Sequence, residues 1–223
     1  MERVTVDVIS DIVCPWCYLG KARLELAIAE VQDELGVEVN WRPYQLDPDA
    51  SSEGADYRTH LISKFGSAER LDQMQETLRD HGREIGIGFR FEDIRVRANT
   101  LDGHRLLHWA RVESQELQDQ VATALFKAHF EQGRNVADRD VLLDIATSCG
   151  LDPVLIGTLL ASDADKDTVF SEIEAARKMG VNGVPFLIFD GQYAVSGAQT
   201  PEVLANALRD IARAKAEARR GMI

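Results

Sequence analysis

The sequence has 223 residues, 45% of them hydrophobic, and a formal net charge of −12 at pH 7. That is enough chain for one cored domain, or for a domain carrying a large insertion. The charge repels polyanions and no basic stripe overrides it, so nucleic acid and anionic membrane surfaces are excluded as partners. Only three cysteines are present, too few for a disulfide-stapled secreted scaffold.

In chain order, Val4 to Ile9 is rich in β-branched residues and reads as a buried strand. Asp7 and Asp11 interrupt the apolar run a secretory signal would need, and no stretch approaches the length of a membrane span. The chain therefore reads as cytoplasmic. Cys17 to Leu35 carries Leu24, Ile28, Val31 and Leu35 at helical spacing, with Gly36 as the stop. Val37 to Trp41 is a second strand, limited by Pro43. This β-α-β opening favours a parallel pair with a right-handed crossover.

From Tyr57 to Gly180 the pattern is helical. The candidates are 57–65, 68–85, 100–112, 115–132, 138–149, 153–161 and 165–179, separated by Gly and Pro signals. Strands return at Val184 to Phe189 and near Tyr193 to Val195, joined by the turn signal Asp190-Gly191. A last helix begins at Thr200-Pro201-Glu202 and runs through Ile211 into a charged tail, Arg213 to Arg220, expected to fray. A β-α-β start and a β-β-α end can make one sheet, with the middle as an all-helical insertion. The expected class is α/β, with one discontinuous domain from 1–48 and 180–223 and a helical insertion at 49–179.

Cys14-Pro15-Trp16-Cys17 follows a strand and opens a helix. Pro15 suits the first helical turn, where its missing N–H has no partner anyway. Cys14 then sits at the positive end of the helix, which favours thiolate over thiol. Cys17 lies one turn further on and can reach back to it. Cys14 is the expected nucleophile in disulfide exchange and Cys17 the resolving thiol. The competing reading, half of a zinc site, needs two more ligands. Cys149 is single, and the only i, i+4 histidine pair, His104 and His108, lies in an apolar helical pattern. No metal is expected. In Gly183-Val184-Pro185-Phe186, a proline opening a strand needs a special reason. A cis Val184–Pro185 bond would be one, leaving the Val184 backbone free to pair with an extended substrate.

Through these residues the chain resembles the DsbA family, in particular its FrnE-like branch. The matching stretches are Ser10 to Gly20, Asn99-Thr100 with His104-Arg105-Leu106, Leu125 to Gly133, Gly180 to Phe186, and Ser196 to Gln199. The resemblance implies a thioredoxin-like fold with a helical insertion and a cis Pro185 beside Cys14. It implies a thiol–disulfide oxidoreductase or isomerase acting on protein disulfides or dithiols, or on a small thiol. No cofactor is expected beyond glutathione as a thiol partner. Periplasmic members of the family typically carry His where Trp16 stands, so a less oxidising disulfide is expected here. The oligomeric state stays open, a homodimer included.

The alternative is a glutathione-dependent transferase or isomerase of the kappa-class or 2-hydroxychromene-2-carboxylate isomerase type. Those typically place Ser at the position of Cys14 and lack the resolving thiol. Other residues read more plainly. Trp16 and Tyr18 serve either as a docking rim or as packing against the insertion. Cys149 is expected to be a buried inert thiol. His104 and Arg105 are expected to cap or pair on a helix rather than bind an anion. Phe126 and Phe130, at i and i+4, are expected to pack in the insertion core or at a self-association face, and Asp163, Asp165 and Asp167 to stay solvated.

Overall fold

The computed structural model describes residues 1–50 and 56–220. Four strands form one sheet: β1 (Glu2–Ser10), β2 (Leu35–Pro43), β3 (Phe186–Phe189) and β4 (Tyr193–Ser196), in the order β2-β1-β3-β4. β1 runs parallel to β2, from Glu2 opposite Leu35 to Ser10 opposite Pro43, and antiparallel to β3. The β1–β2 crossover is helix α1 (Pro15–Val31). Between β2 and β3 lie α2 (Tyr57–Phe65), α3 (Ala68–Glu84), α4 (Leu101–Glu113), α5 (Gln115–Phe130), α6 (Arg139–Ser148), α7 (Pro153–Leu160) and α8 (Lys166–Lys178). The chain closes with α9 (Pro201–Arg220). The architecture is mixed α/β: a thioredoxin-like sheet interrupted by a helical insertion.

Two boundaries differ from the sequence reading. Leu35 and Gly36 do not end a helix. α1 stops at Val31, residues 32–34 turn, and Leu35 opens β2 opposite Glu2, 4% exposed. The same apolar side chain reaches the core from a strand as well as from a helix, and the nine-residue parallel ladder decides for the strand. At the other end, α9 continues to Arg220 instead of fraying near Arg213. Leu204, Leu208 and Ile211 are buried along its inner face, and ion pairs hold its outer one: Arg209 to Glu30 and Glu34, and Arg219 to Glu2.

β2 is a sheet edge, and an edge strand with unpaired backbone groups invites aggregation. Helix α5 closes it. The Gln118 side chain accepts from the Trp41 N–H at 3.0 Å and donates to the Trp41 carbonyl at 2.9 Å. A single buried amide thus satisfies both outward backbone groups of Trp41. The Trp41 indole donates to Asp119 at 2.9 Å, and Lys21, 2% exposed, pairs with Asp119 and Glu25.

The insertion is not a separate core. One apolar cluster runs from Val4, Val6 and Leu24 through Tyr18 to Phe126, Leu142 and Ile156. Tyr18 is its hinge. Its ring stacks on Phe126 with centroids 5.2 Å apart, meets Phe89 edge-on at 5.9 Å, and its hydroxyl donates to Glu131. Of the two uses foreseen for Tyr18, packing against the insertion is the one observed. Phe126 and Phe130 pack in the core, the first of the two placements their spacing allows.

Arg105 is completely buried and serves as a clamp. Its guanidinium donates to the carbonyls of Leu159, Ser162 and Ala164 and to Asp102. It thereby caps the C-terminal end of α7 and fixes the turn into α8. Asp165 is not simply solvated: it accepts from the Trp109 indole at 2.8 Å and adopts φ 58° at the start of α8. Among the described residues no helix is long and apolar enough to cross a membrane.

Candidate active site

Cys14 is the N-cap of α1, at φ −94° and ψ 111°, with Pro15 in the first helical position. The chain enters the helix through a tight turn in which the Cys14 N–H bonds the Asp11 carbonyl at 3.0 Å. The Cys14 carbonyl then accepts from Cys17 at 3.0 Å and from Tyr18 at 3.3 Å. These bonds leave the Cys14 side chain at the open end of the helix. Both cysteines are free thiols, 4% and 1% exposed.

Across the site, the Cys14 thiol lies 3.6 Å from the Val184 carbonyl oxygen, within hydrogen-bonding reach for sulfur. The Val184–Pro185 peptide is cis. Pro185 is held against α1 through Gly20: a Cβ there would stand 3.1 Å from the proline ring, so glycine allows the approach. The Gly197 N–H bonds the Pro185 carbonyl at 2.9 Å and anchors the loop from behind.

The two thiols are not equivalent. The Cys17 pKa is pushed well above its ordinary value, first by burial, then by its hydrogen bond to Cys14 and the repulsion of a Cys14 thiolate. Ser10 and the Asp11 backbone oppose the shift in part. Cys17 is therefore held as a protonated donor toward Cys14. This is the asymmetry a nucleophile and a waiting partner require.

Asp11 fixes the turn. It is 1% exposed and accepts from the Leu46 N–H at 2.8 Å and from His104 Nε2 at 3.3 Å; the same nitrogen also lies 2.9 Å from the Tyr44 carbonyl. His104 thus pairs within the fold, away from the cysteines, and Arg105 caps helix ends. No group of three or more His, Cys, Asp or Glu among the described residues is arranged to hold a metal. Cys149 sits at the end of α6 with its thiol 3.9 Å from Ser148. It is half-buried rather than buried, and burial raises its pKa.

A cavity of about 330 Å3 opens beside Cys14 between the α1 N-terminus, α2 and α3. Trp16 and Val184 stand at its entrance and Leu71, Leu78 and Phe91 line its depth. Trp16 packs against His81 with centroids 6.0 Å apart, so it is both wall and rim. His129 also lines this cavity, 1% exposed, and neither ring nitrogen has a hydrogen-bond partner. Sequence reading assigns His129 no role of its own: it lies among Leu125, Phe126, Ala128 and Phe130, and only the cavity distinguishes it from a core histidine.

The residues from 5 to 209 match the family model of the DSBA-like thioredoxin domain. A solved structure of a probable DsbA oxidoreductase from Streptomyces coelicolor is 34% identical, covers 93% of this chain and 89% of its own, and superposes with a TM-score of 0.84. The uncharacterized Bacillus subtilis protein YwbO is 25% identical over 93% of this chain and 96% of its own. A 2-hydroxychromene-2-carboxylate isomerase, 17% identical, covers 96% of this chain and 98% of its own with a TM-score of 0.72, a likeness of fold. The chain belongs to the DSBA-like thioredoxin domain family.

Proposed function

We infer that the protein is a dithiol–disulfide oxidoreductase working through Cys14 and Cys17. The observation that carries this reading is the placement of two unequal thiols. Cys14 caps a helix 3.6 Å from the Val184 carbonyl, and Cys17 waits one turn behind, protonated by its surroundings. The Cys14 thiolate attacks a substrate disulfide and forms a mixed disulfide, releasing one thiolate. Cys17 then loses its proton and attacks the Cys14 sulfur. The second substrate thiol leaves, taking a proton, and the Cys14–Cys17 disulfide closes. Two electrons pass from protein to substrate; the reverse sequence oxidises a substrate dithiol.

Pro15 shapes the helix start, Trp16 walls the entrance, and the Val184 backbone beside Pro185 pairs with the incoming substrate. Glutathione is the proposed thiol partner for recycling. No metal takes part in this scheme. The glutathione transferase or isomerase alternative is not favoured, because a single nucleophile would leave the buried, adjacent Cys17 without a use. The sheet parts at 1–48 and 180–223 are proposed to supply the redox centre, and the insertion at 49–179 the substrate cavity.

Trapping tests the scheme. Cys17→Ser incubated with oxidised glutathione is expected to accumulate a mixed disulfide on Cys14, seen by mass spectrometry, while the wild type resolves it. No adduct on Cys14, or an adduct equally persistent in both proteins, would contradict it.

A further inference from the structure

The cavity beside Cys14 says what the thiol partner carries. Its volume of about 330 Å3 is roughly twice the ~150 Å3 apolar cavity that accommodates a benzene ring. Its deep wall is Leu71, Leu78 and Phe91, all buried, and its mouth includes Met74, 37% exposed. The lining is mainly apolar, with Asp47, His60, Lys64, Gln75 and Arg97 also contributing to it, and a largely apolar pocket of this size is the usual form of a small-molecule site.

His129 differs from the other polar groups of the wall: His60 and Arg97 pair with Asp47, whereas no described residue makes a hydrogen bond of good geometry to the His129 nitrogens. A buried imidazole with neither nitrogen satisfied is costly, since each unpaired polar atom forfeits its hydration without return. The neighbours of the ring are aromatic: Phe130 edge-on at 4.6 Å and Tyr57 edge-on at 6.3 Å. The Arg134 backbone lies near the ring, but among the described residues no hydrogen bond of good geometry reaches either nitrogen. The ring itself lines the cavity.

Resting on the oxidoreductase reading above, we propose that the substrate is a compact organic disulfide with a largely apolar, ring-sized group on one sulfur, seated in this cavity and hydrogen-bonded to His129. The Cys14 thiolate attacks the sulfur bearing that group and the other half leaves as a thiolate. Cys17 then displaces the ring-bearing thiol and the protein disulfide closes. The protein dithiol is the reductant for one turnover, and two equivalents of a monothiol such as glutathione restore it.

The test is single-turnover oxidation of the reduced protein, followed by Trp16 fluorescence and thiol trapping. Benzyl 2-hydroxyethyl disulfide is the probe and bis(2-hydroxyethyl) disulfide the reference; both release alkyl thiols of similar acidity. The probe is expected to react about tenfold faster or more, the scale on which apolar pockets discriminate. In Met74→Trp, which narrows the mouth at a partly exposed position, the ratio falls toward one. Equal rates in the wild type overturn the proposal and leave the oxidoreductase reading standing. Oxidation of Cys14–Cys17 by neither disulfide overturns both. A faster reaction with a Phe-flanked cystine peptide than with the probe overturns the small-molecule assignment in favour of a protein side chain. For His129, the fastest of the three ring-hydroxylated benzyl probes should outpace the bare ring, and His129→Phe should remove that advantage. No advantage in the wild type, or the same one in the variant, overturns the assignment of His129.

Discussion

The Cys14 thiol and the Val184 carbonyl oxygen are 3.6 Å apart although 170 residues separate them in sequence. The sheet makes the meeting: β1 delivers the helix start, and β3, antiparallel to β1, delivers the loop before Phe186 to the same end.

The pH dependence of the second step follows from Cys17. In the free dithiol its pKa is raised by burial, by the hydrogen bond to Cys14 and by the Cys14 charge, in that order. Forming the mixed disulfide removes the charge on Cys14, while burial stays. Resolution is therefore expected to rise about tenfold per pH unit below the Cys17 pKa, because only the thiolate attacks. Stopped-flow release of the second thiol between about pH 6 and pH 8 reads this slope; a flat profile would show that deprotonation of Cys17 does not limit it.

His129 sets an acid limit on stability. Burial lowers its pKa to about 4, opposed in part by the Arg134 backbone and the Asp11 charge. The unfolded histidine titrates near 6.5, so between about pH 6.5 and pH 4 the unfolded state binds the extra proton. The folded state is unpenalised above that window, loses stability as pH falls through it, and reaches a plateau below. The loss is on the order of 3 kcal/mol across the window. Chemical denaturation of wild type and His129→Phe at intervals from about pH 7 to pH 4 is expected to show a shallower decline in the variant. Parallel curves would locate the acid sensitivity elsewhere.

Gln118 is predicted to matter as an edge cap. Gln118→Leu keeps roughly the volume but strips both partners from the outward backbone groups of Trp41. Two buried unsatisfied groups at about 1–3 kcal/mol each give an expected loss of roughly 2–6 kcal/mol in urea unfolding, with a greater tendency to aggregate. A loss below about 0.5 kcal/mol would mean that water replaces the amide.

Arg105→Lys separates geometry from charge. The guanidinium serves three carbonyls and one carboxylate from a fixed fork, and an ammonium cannot reach all four. The expected loss is about 3 kcal/mol or more, since the charge remains buried with fewer partners. Thermal unfolding reads it, and a near-neutral outcome would show that the turn into α8 repacks around lysine.

The sheet and the helical block were legible because their signals are local. A β-branched run marks β1, a short apolar run marks β3, Pro15 and Pro201 mark helix starts, and Asp190-Gly191 marks the hairpin, where both residues adopt positive φ. The end of α1 was not, because Leu35 continues a helical spacing and only pairing with Glu2 assigns it to β2. Nor was the α9 tail, whose charges look solvated until Asp190 is placed beside Lys215 and Glu2 beside Arg219. The cavity was the least legible of all. Its walls come from α2, α3, the start of α1 and the loop before β3, and no spacing along the chain announces that assembly. His129 carries no signal among Leu125, Phe126, Ala128 and Phe130; its orphaned nitrogens exist only in three dimensions.

Redox titration tests the central claim most directly. The protein is equilibrated across glutathione buffers of graded potential, and the state of Cys14 and Cys17 is read by thiol trapping beside Cys14→Ser. A single two-electron transition in the wild type, absent from the variant, is the result this account predicts. With Trp16 where a His⁺ would stabilise the thiolate, its midpoint should lie below the roughly −120 mV of a strongly oxidising dithiol. Thiols that stay reduced across every buffer, or a transition that survives Cys14→Ser, would contradict it.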